Sequence, residues 1–149
     1  AMAVTTLLKL AGFTNDVRYV DFAHQALAQM QTPTGGGMMS QYPLGFGQWL
    51  QALAYALSQP REIAIVGDPK GTDTQALLSV VRDGYRPFQV VALGTPERQR
   101  SAVLLLQDRG LVNGQPAAYV CRELTCQAPV TTPQALEVLL GAHGGPPNA

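Results

Sequence analysis

The residues of this chain best suited to chemistry are its two cysteines, Cys121 and Cys126, in the segment AYVCRELTCQAP. Redox enzymes of the thioredoxin kind separate their cysteines by two residues at a helix N-terminus, which lowers the thiol pKa. Here four residues intervene, and Cys121 ends a run that predicts a strand. A disulfide would require the chain to turn back, because five extended steps span roughly 16 Å. We therefore favour buried or half-buried thiols, with a disulfide or redox-sensitive pair as the alternative.

A metal site is a third interpretation of the cysteine pair. A structural zinc ion takes four ligands, and the other soft donors, His24 and His143, lie in distant segments. We therefore predict no metal and no cofactor. Asp21 precedes His24 by one helical turn, which makes His24 a candidate general base. A single histidine on a helix is more often a surface or hydrogen-bonded residue, and we favour that interpretation.

The loop VGDPKGTD is a second candidate site because it joins a predicted strand to a predicted helix. At such junctions α/β folds bind phosphate on free backbone amides. The residues that would contact a ligand here are Gly67, Asp68, Lys70, Gly71 and Thr72. The loop matches neither the P-loop nor the G-x-G-x-x-G motif, and its aspartates would repel an anion. We favour a simple turn of turn-forming residues, with a ligand site as the alternative.

Trp49 is a third candidate, because an indole ring can stack on the apolar face of a sugar. Phe46, Trp49 and Leu53 fall at helical spacing, which more simply predicts a helix face packed in a core. We favour the core interpretation and keep sugar stacking as the alternative. No carboxylate pair and no Ser/His/Asp set has an arrangement that the sequence supports.

The elements that position these residues change in character near Pro60. The earlier part predicts two helices joined by a short loop and a third helix that ends at Pro60. The later part predicts the strands EIAIV, PFQVVALG and PAAYVC, a helix over 72–84 and a last helix within TPQALEVLLGAH. This order predicts an α/β layer with a small three-stranded parallel sheet flanked by helices.

These patterns divide the chain into a helical segment over 1–59, a small α/β domain over 60–143 and a disordered tail over 144–149. The first helix begins at the first residue without a capping residue, and three helices alone bury their apolar faces poorly. We therefore expect that the chain was cut out of a longer helical domain. Its exposed helical face would then be suited to self-association.

The composition excludes several classes of partner. The ten Lys and Arg residues balance the ten Asp and Glu residues, so no net charge favours nucleic acid or an anionic membrane. No apolar run reaches the roughly 20 residues of a membrane span. Two cysteines do not make the disulfide framework of a small secreted domain, so reduced thiols in a cytoplasm are the expectation.

Three long segments together resemble a known family. They are PLGFGQWLQALAYALSQPREIAIVG, YRPFQVVALG and GQPAAYVCRELTCQAPVTTPQALEVLL, and AYVC-x4-C-x2-P is the most specific part. They resemble the C-terminal end of the thioredoxin-domain-containing proteins of the spermatogenesis-associated family. The resemblance implies that residues 1 to about 58 are the last helices of a six-hairpin α/α toroid, similar to that of N-acylglucosamine epimerases and some glycosidases. It also implies a thioredoxin-like domain outside this chain.

Three functions are consistent with these observations. The first is a structural and interaction module that closes the toroid of its parent protein, with that parent chain as partner and no activity of its own. The second is one part of a carbohydrate-acting enzyme whose pocket lies in the missing toroid. The third is a thiol redox partner that acts through Cys121 and Cys126.

Overall fold

The computed structural model describes residues 1–31, 37–96, 103–122 and 125–141, and for Met38 only the backbone. The chain divides into two compact units, Ala1–Pro60 and Arg61–Ala149. His143 and the predicted tail over 144–149 lie outside the described residues.

The first unit is helical throughout its described part. Its helices are α1 (Met2–Thr14), α2 (Val17–Gln31), α3 (Met38–Gln41) and α4 (Gly47–Leu57). Asp16 Oδ1 accepts a hydrogen bond from the Arg18 backbone N–H at 3.0 Å, which satisfies a free amide at the start of α2. Helices α1, α2 and α4 pack together around a buried apolar cluster, which consists of Val4, Leu8, Ala23, Leu27, Ala52 and Tyr55.

The second unit is a four-stranded mixed sheet with helices on one face. Its elements are β1 (Arg61–Val66), α5 (Thr72–Arg82), β2 (Gln89–Gly94), a 3-10 turn (Leu104–Leu106), β3 (Ala117–Arg122), β4 (Thr125–Cys126) and α6 (Pro133–Gly141). The strand order is β2-β1-β3-β4. Thr132 caps helix α6: its Oγ1 accepts a hydrogen bond from the Ala135 N–H at 3.3 Å, and Pro133 is the first helical residue.

The prediction of a parallel three-stranded sheet is wrong for its third strand. β1 and β2 are parallel and are connected through α5, as expected. β3 is antiparallel to β1, with Val66 opposite Ala117 and Glu62 opposite Cys121. The reason is that β3 begins at the end of the sheet where β2 stops. In its described part, the intervening connection contains only the 3-10 turn and a short turn at Asn113-Gly114, with no helix to carry the chain back across the sheet.

The two faces of the sheet have different partners. On one face, Ile63 and Ile65 of β1 and Val120 of β3 pack with α5 and α6 in the main core. On the other face, the 3-10 turn packs over β1 and β2. Side chains alternate along a strand, so Glu62 and Cys121, which are opposite each other, lie on the face away from α5 and α6.

We predict that Gly67→Ala lowers the stability of the second unit by about 1–3 kcal/mol. A Cβ at this position would overlap Thr74 Oγ1 and lie 2.9 Å from the Cβ of Pro116, so buried groups would have to move. Urea unfolding followed by far-UV circular dichroism measures the effect. Gly110→Ala is the matched control, because its new methyl group would meet nothing within 4 Å. Equal unfolding midpoints for the two variants would contradict the prediction.

Candidate functional site

The structure joins Cys121 and Cys126 in a disulfide across the β3–β4 hairpin. The two residues are register partners, and their Cα atoms lie 3.9 Å apart. Cys121 is 1% exposed, whereas Cys126 lies at the exposed edge of the sheet. The hairpin supplies the reversal of the chain that a bond requires. The pair is therefore a disulfide here, where the spacing alone favoured free thiols.

Arg109 lies directly against both sulfur atoms. Its Nη1 is 3.0 Å from Cys121 Sγ and 3.2 Å from Cys126 Sγ. Sequence patterns do not point to Arg109 as a site residue. No motif signals it, because it precedes the two cysteines by 12 and 17 positions and reaches them only through the fold.

Tyr119 holds the segment that carries Arg109. The guanidinium carbon of Arg109 lies 5.3 Å from the centre of the Tyr119 ring, within the range of a cation–π contact. The Tyr119 hydroxyl donates a hydrogen bond of 2.9 Å to the carbonyl of Gly110. Tyr119 is on the same face of β3 as Cys121, so one strand positions both the cysteine and the support for its cationic neighbour.

The charge of Arg109 is only partly compensated. Burial lowers the pKa of Arg109, while Tyr119 and Glu62 act in the opposite direction. Its Nε is buried and has no hydrogen-bond acceptor among the described residues. The site is therefore a half-buried cation in contact with a pair of sulfur atoms, and the Glu62 carboxylate raises the pKa of that cation.

The position of Arg109 is more favourable to a cysteine thiolate than to a disulfide sulfur. A disulfide sulfur is neutral and accepts hydrogen bonds weakly, whereas a thiolate carries a full negative charge. A guanidinium in contact with a thiolate forms a charge-assisted hydrogen bond and lowers the thiol pKa. If the pair is reduced, Arg109 would therefore stabilise a thiolate there more than it stabilises the disulfide.

The predicted ligand loop forms a turn whose bonds are internal. The Lys70 N–H donates to Asp68 Oδ1 at 3.0 Å, and the Gly71 N–H donates to the Asp68 carbonyl at 2.9 Å. Gln75 Nε2 donates to the carbonyl of Pro69. Thr72 is the first residue of α5, and Gly67 packs against Thr74. The amides of Lys70 and Gly71 are thus already engaged, and the structure brings this loop together without joining it to the cysteine site.

The remaining candidate residues are dispersed over the helical unit. Trp49 packs against the buried helical cluster together with Leu53. His24 and Asp21 are exposed on α2. In the described ranges, no three His, Cys, Asp or Glu residues form a group that could hold a metal ion. Within the same ranges, every helix is too short or too polar to span a membrane.

Comparison with known proteins identifies relatives of the whole chain. It is 29% identical over 143 residues to human spermatogenesis-associated protein 20, 28% identical to the rat protein and 27% identical to the mouse protein. Each match covers 94% of this chain but only 18% of the relative. No family model and no solved structure matches the chain. The matches confirm the resemblance predicted from the three sequence segments.

We predict that Arg109→Gln raises the pKa of the more acidic thiol of the reduced protein by about one pH unit, because a thiolate loses its cationic partner. The pH dependence of the rate of iodoacetamide alkylation measures this value. Arg122→Gln is the control, since Arg122 adjoins Cys121 on β3 but alternation directs it to the opposite face of the sheet. An equal thiol pKa in the wild type and Arg109→Gln would rule out the proposed contact in the reduced state.

Proposed function

The chain is homologous to spermatogenesis-associated protein 20, and from that premise we propose that it is a module of a longer polypeptide in which Cys121 and Cys126 form a thiol–disulfide redox site. The observation that carries the redox role is the contact of Arg109 Nη1 with both sulfur atoms. A disulfide that serves only as a structural link has no need of a half-buried cation beside it.

Cys121 is buried and Cys126 is exposed, so the two sulfur atoms have different roles in the proposed thiol–disulfide exchange. A thiolate of a partner dithiol attacks Sγ of Cys126, the exposed residue. The Cys121–Cys126 bond breaks, and its electron pair leaves on Cys121 Sγ as a thiolate beside Arg109. The second thiolate of the partner then attacks the partner's own sulfur in the mixed disulfide. Cys126 leaves as a thiolate, the partner becomes a disulfide, and this pair has gained two electrons.

A dithiol of the thioredoxin kind is the partner class that fits this exchange. The family resemblance implies such a domain in the same longer polypeptide. The expected location is a reducing cytoplasm, where disulfides are usually transient and catalytic or redox-sensing. An exchangeable pair beside a cation suits that setting better than a permanent crosslink.

The helical unit supports the proposed structural role. Several large apolar side chains are exposed on it, among them Val17 at 66%, Phe22 at 60%, Leu44 at 99% and Leu57 at 78%. The chain spans only 18% of the length of its relatives, so a large part of such a polypeptide lies outside it. We propose that further helices of the parent, arranged as an α/α toroid, cover this surface. The carbohydrate-acting alternative receives no support from Trp49, because that side chain packs with the helical cluster.

We predict that the disulfide equilibrates with thiol buffers, at a reduction potential less negative than the roughly −300 mV below which structural disulfides lie. Incubation in glutathione and dithiothreitol buffers of graded potential, followed by alkylation and mass spectrometry, gives the value. A pair that stays oxidised at potentials more negative than this limit would be a structural crosslink, and the redox role would be wrong.

We also predict that the single-cysteine variants differ in reactivity. Cys121→Ser leaves the exposed Cys126, which should form a mixed disulfide with oxidised glutathione at least about tenfold faster than the buried Cys121 in Cys126→Ser. Arg109 remains in both variants, so exposure is the main difference between them. Equal rates, or a faster reaction of Cys121, would reverse the assigned roles.

A further inference from the structure

Within the described residues, β2 is an edge strand with unpaired backbone groups. Its neighbour in the sheet is β1, on one side only. The carbonyl groups of Phe88 and Gly94 accept hydrogen bonds of 3.0 Å from the N–H groups of Arg61 and Gly67. Backbone groups alternate in direction along a strand, so those of Gln89, Val91 and Leu93 point away from β1. Among the described residues, these outward groups have no hydrogen-bond partner.

The same three residues line a cleft beside the free edge. Their side chains form one wall, and Leu78 and Val81 of α5 form another, around a volume of about 380 Å³. Val91 also packs against the main core, whereas Leu93 is 37% exposed. A strand added to β2 would find three pairs of backbone groups along its path. It would also direct alternate side chains into a cleft lined by both apolar and polar residues.

The rim of the cleft is basic. Arg82 and Arg86 both line it, and in the described chain neither forms an ion pair with a carboxylate. Arg86 Nη1 donates to the carbonyl of Val80 at 3.1 Å, so its guanidinium is held at the C-terminal end of α5. Arg61 is near enough to Arg86 to be repelled by its charge. Burial lowers the pKa of Arg61 most, and repulsion from Arg122 and Arg86 lowers it further. A segment with an acidic side chain would relieve this accumulation of positive charge.

We propose that an extended acidic segment of the same longer polypeptide, outside these 149 residues, adds to the free edge of β2 as a fifth strand. The relatives are long enough to supply it, because this chain covers 18% of their length. A second copy of β2 fits less well, since Gln89–Gly94 contains no acidic residue to meet the arginines. The inference rests on the proposed membership in a longer polypeptide but not on the redox role. The reduction potential of the cysteines therefore tests the redox role alone and does not depend on whether a strand adds to β2.

Hydrogen exchange at the outward amides of β2 tests this proposal. The exchange rates of the Val91 and Leu93 backbone amides are measured in the 149-residue protein and in the full-length parent, by mass spectrometry with electron-transfer fragmentation. The expected result is exchange at least about tenfold slower in the full-length protein, because an added strand engages these amides. The full-length variant with Arg82→Gln and Arg86→Gln should lose most of this protection. Lys70→Gln, a charge change in the loop after β1, should retain it.

Three results would overturn the proposal. Equal exchange in the two proteins would show that the edge stays open in the parent. Protection that rises with the concentration of the 149-residue protein would assign the edge to a second copy. Protection from exchange that is unaffected by the arginine substitutions would contradict the claim that the added segment is acidic.

Discussion

The antiparallel pairing of β3 with β1 is the constraint on which the candidate site depends. It sets Cys121 opposite Glu62, and the following hairpin sets Cys126 opposite Cys121. A one-residue shift of this register would turn Cys121 toward the core shared with α5 and α6. In its described part, the connection that precedes β3 packs against β1 and β2, and Arg109 of this connection contacts Cys121 Sγ.

Burial gives the Arg109 contact its effect on the cysteines. At a fully exposed position, water would screen the guanidinium charge and its influence on a thiol pKa would be small. Here the side chain is half-buried, and its Nε has no acceptor in the described part of the protein. Under the proposed redox role, reduction would place a negative charge beside this partly compensated cation.

Local patterns in the sequence predicted the elements well and their long-range pairing poorly. The β-branched run EIAIV and the Thr132-Pro133 start of the last helix are short-range signals, and both are found in the structure. The direction of β3 depends on a connection with no periodic pattern, so the expected parallel strand was wrong. The disulfide depends on that register, and Arg109 lies on no motif. The two cysteines were identified from the sequence, whereas their bond and their contact with Arg109 became visible only in the fold.

The most direct test compares the reduction potentials of the wild type and Arg109→Gln in the same thiol buffers at about pH 10, where the more acidic thiol of the reduced pair is ionised in both proteins. We expect Arg109→Gln to be harder to reduce, with a potential more negative by about 30 mV, because the loss of about one pH unit of thiol acidification then acts in full on the two-electron couple. An unchanged or less negative potential in Arg109→Gln would contradict the claim that Arg109 stabilises the reduced pair.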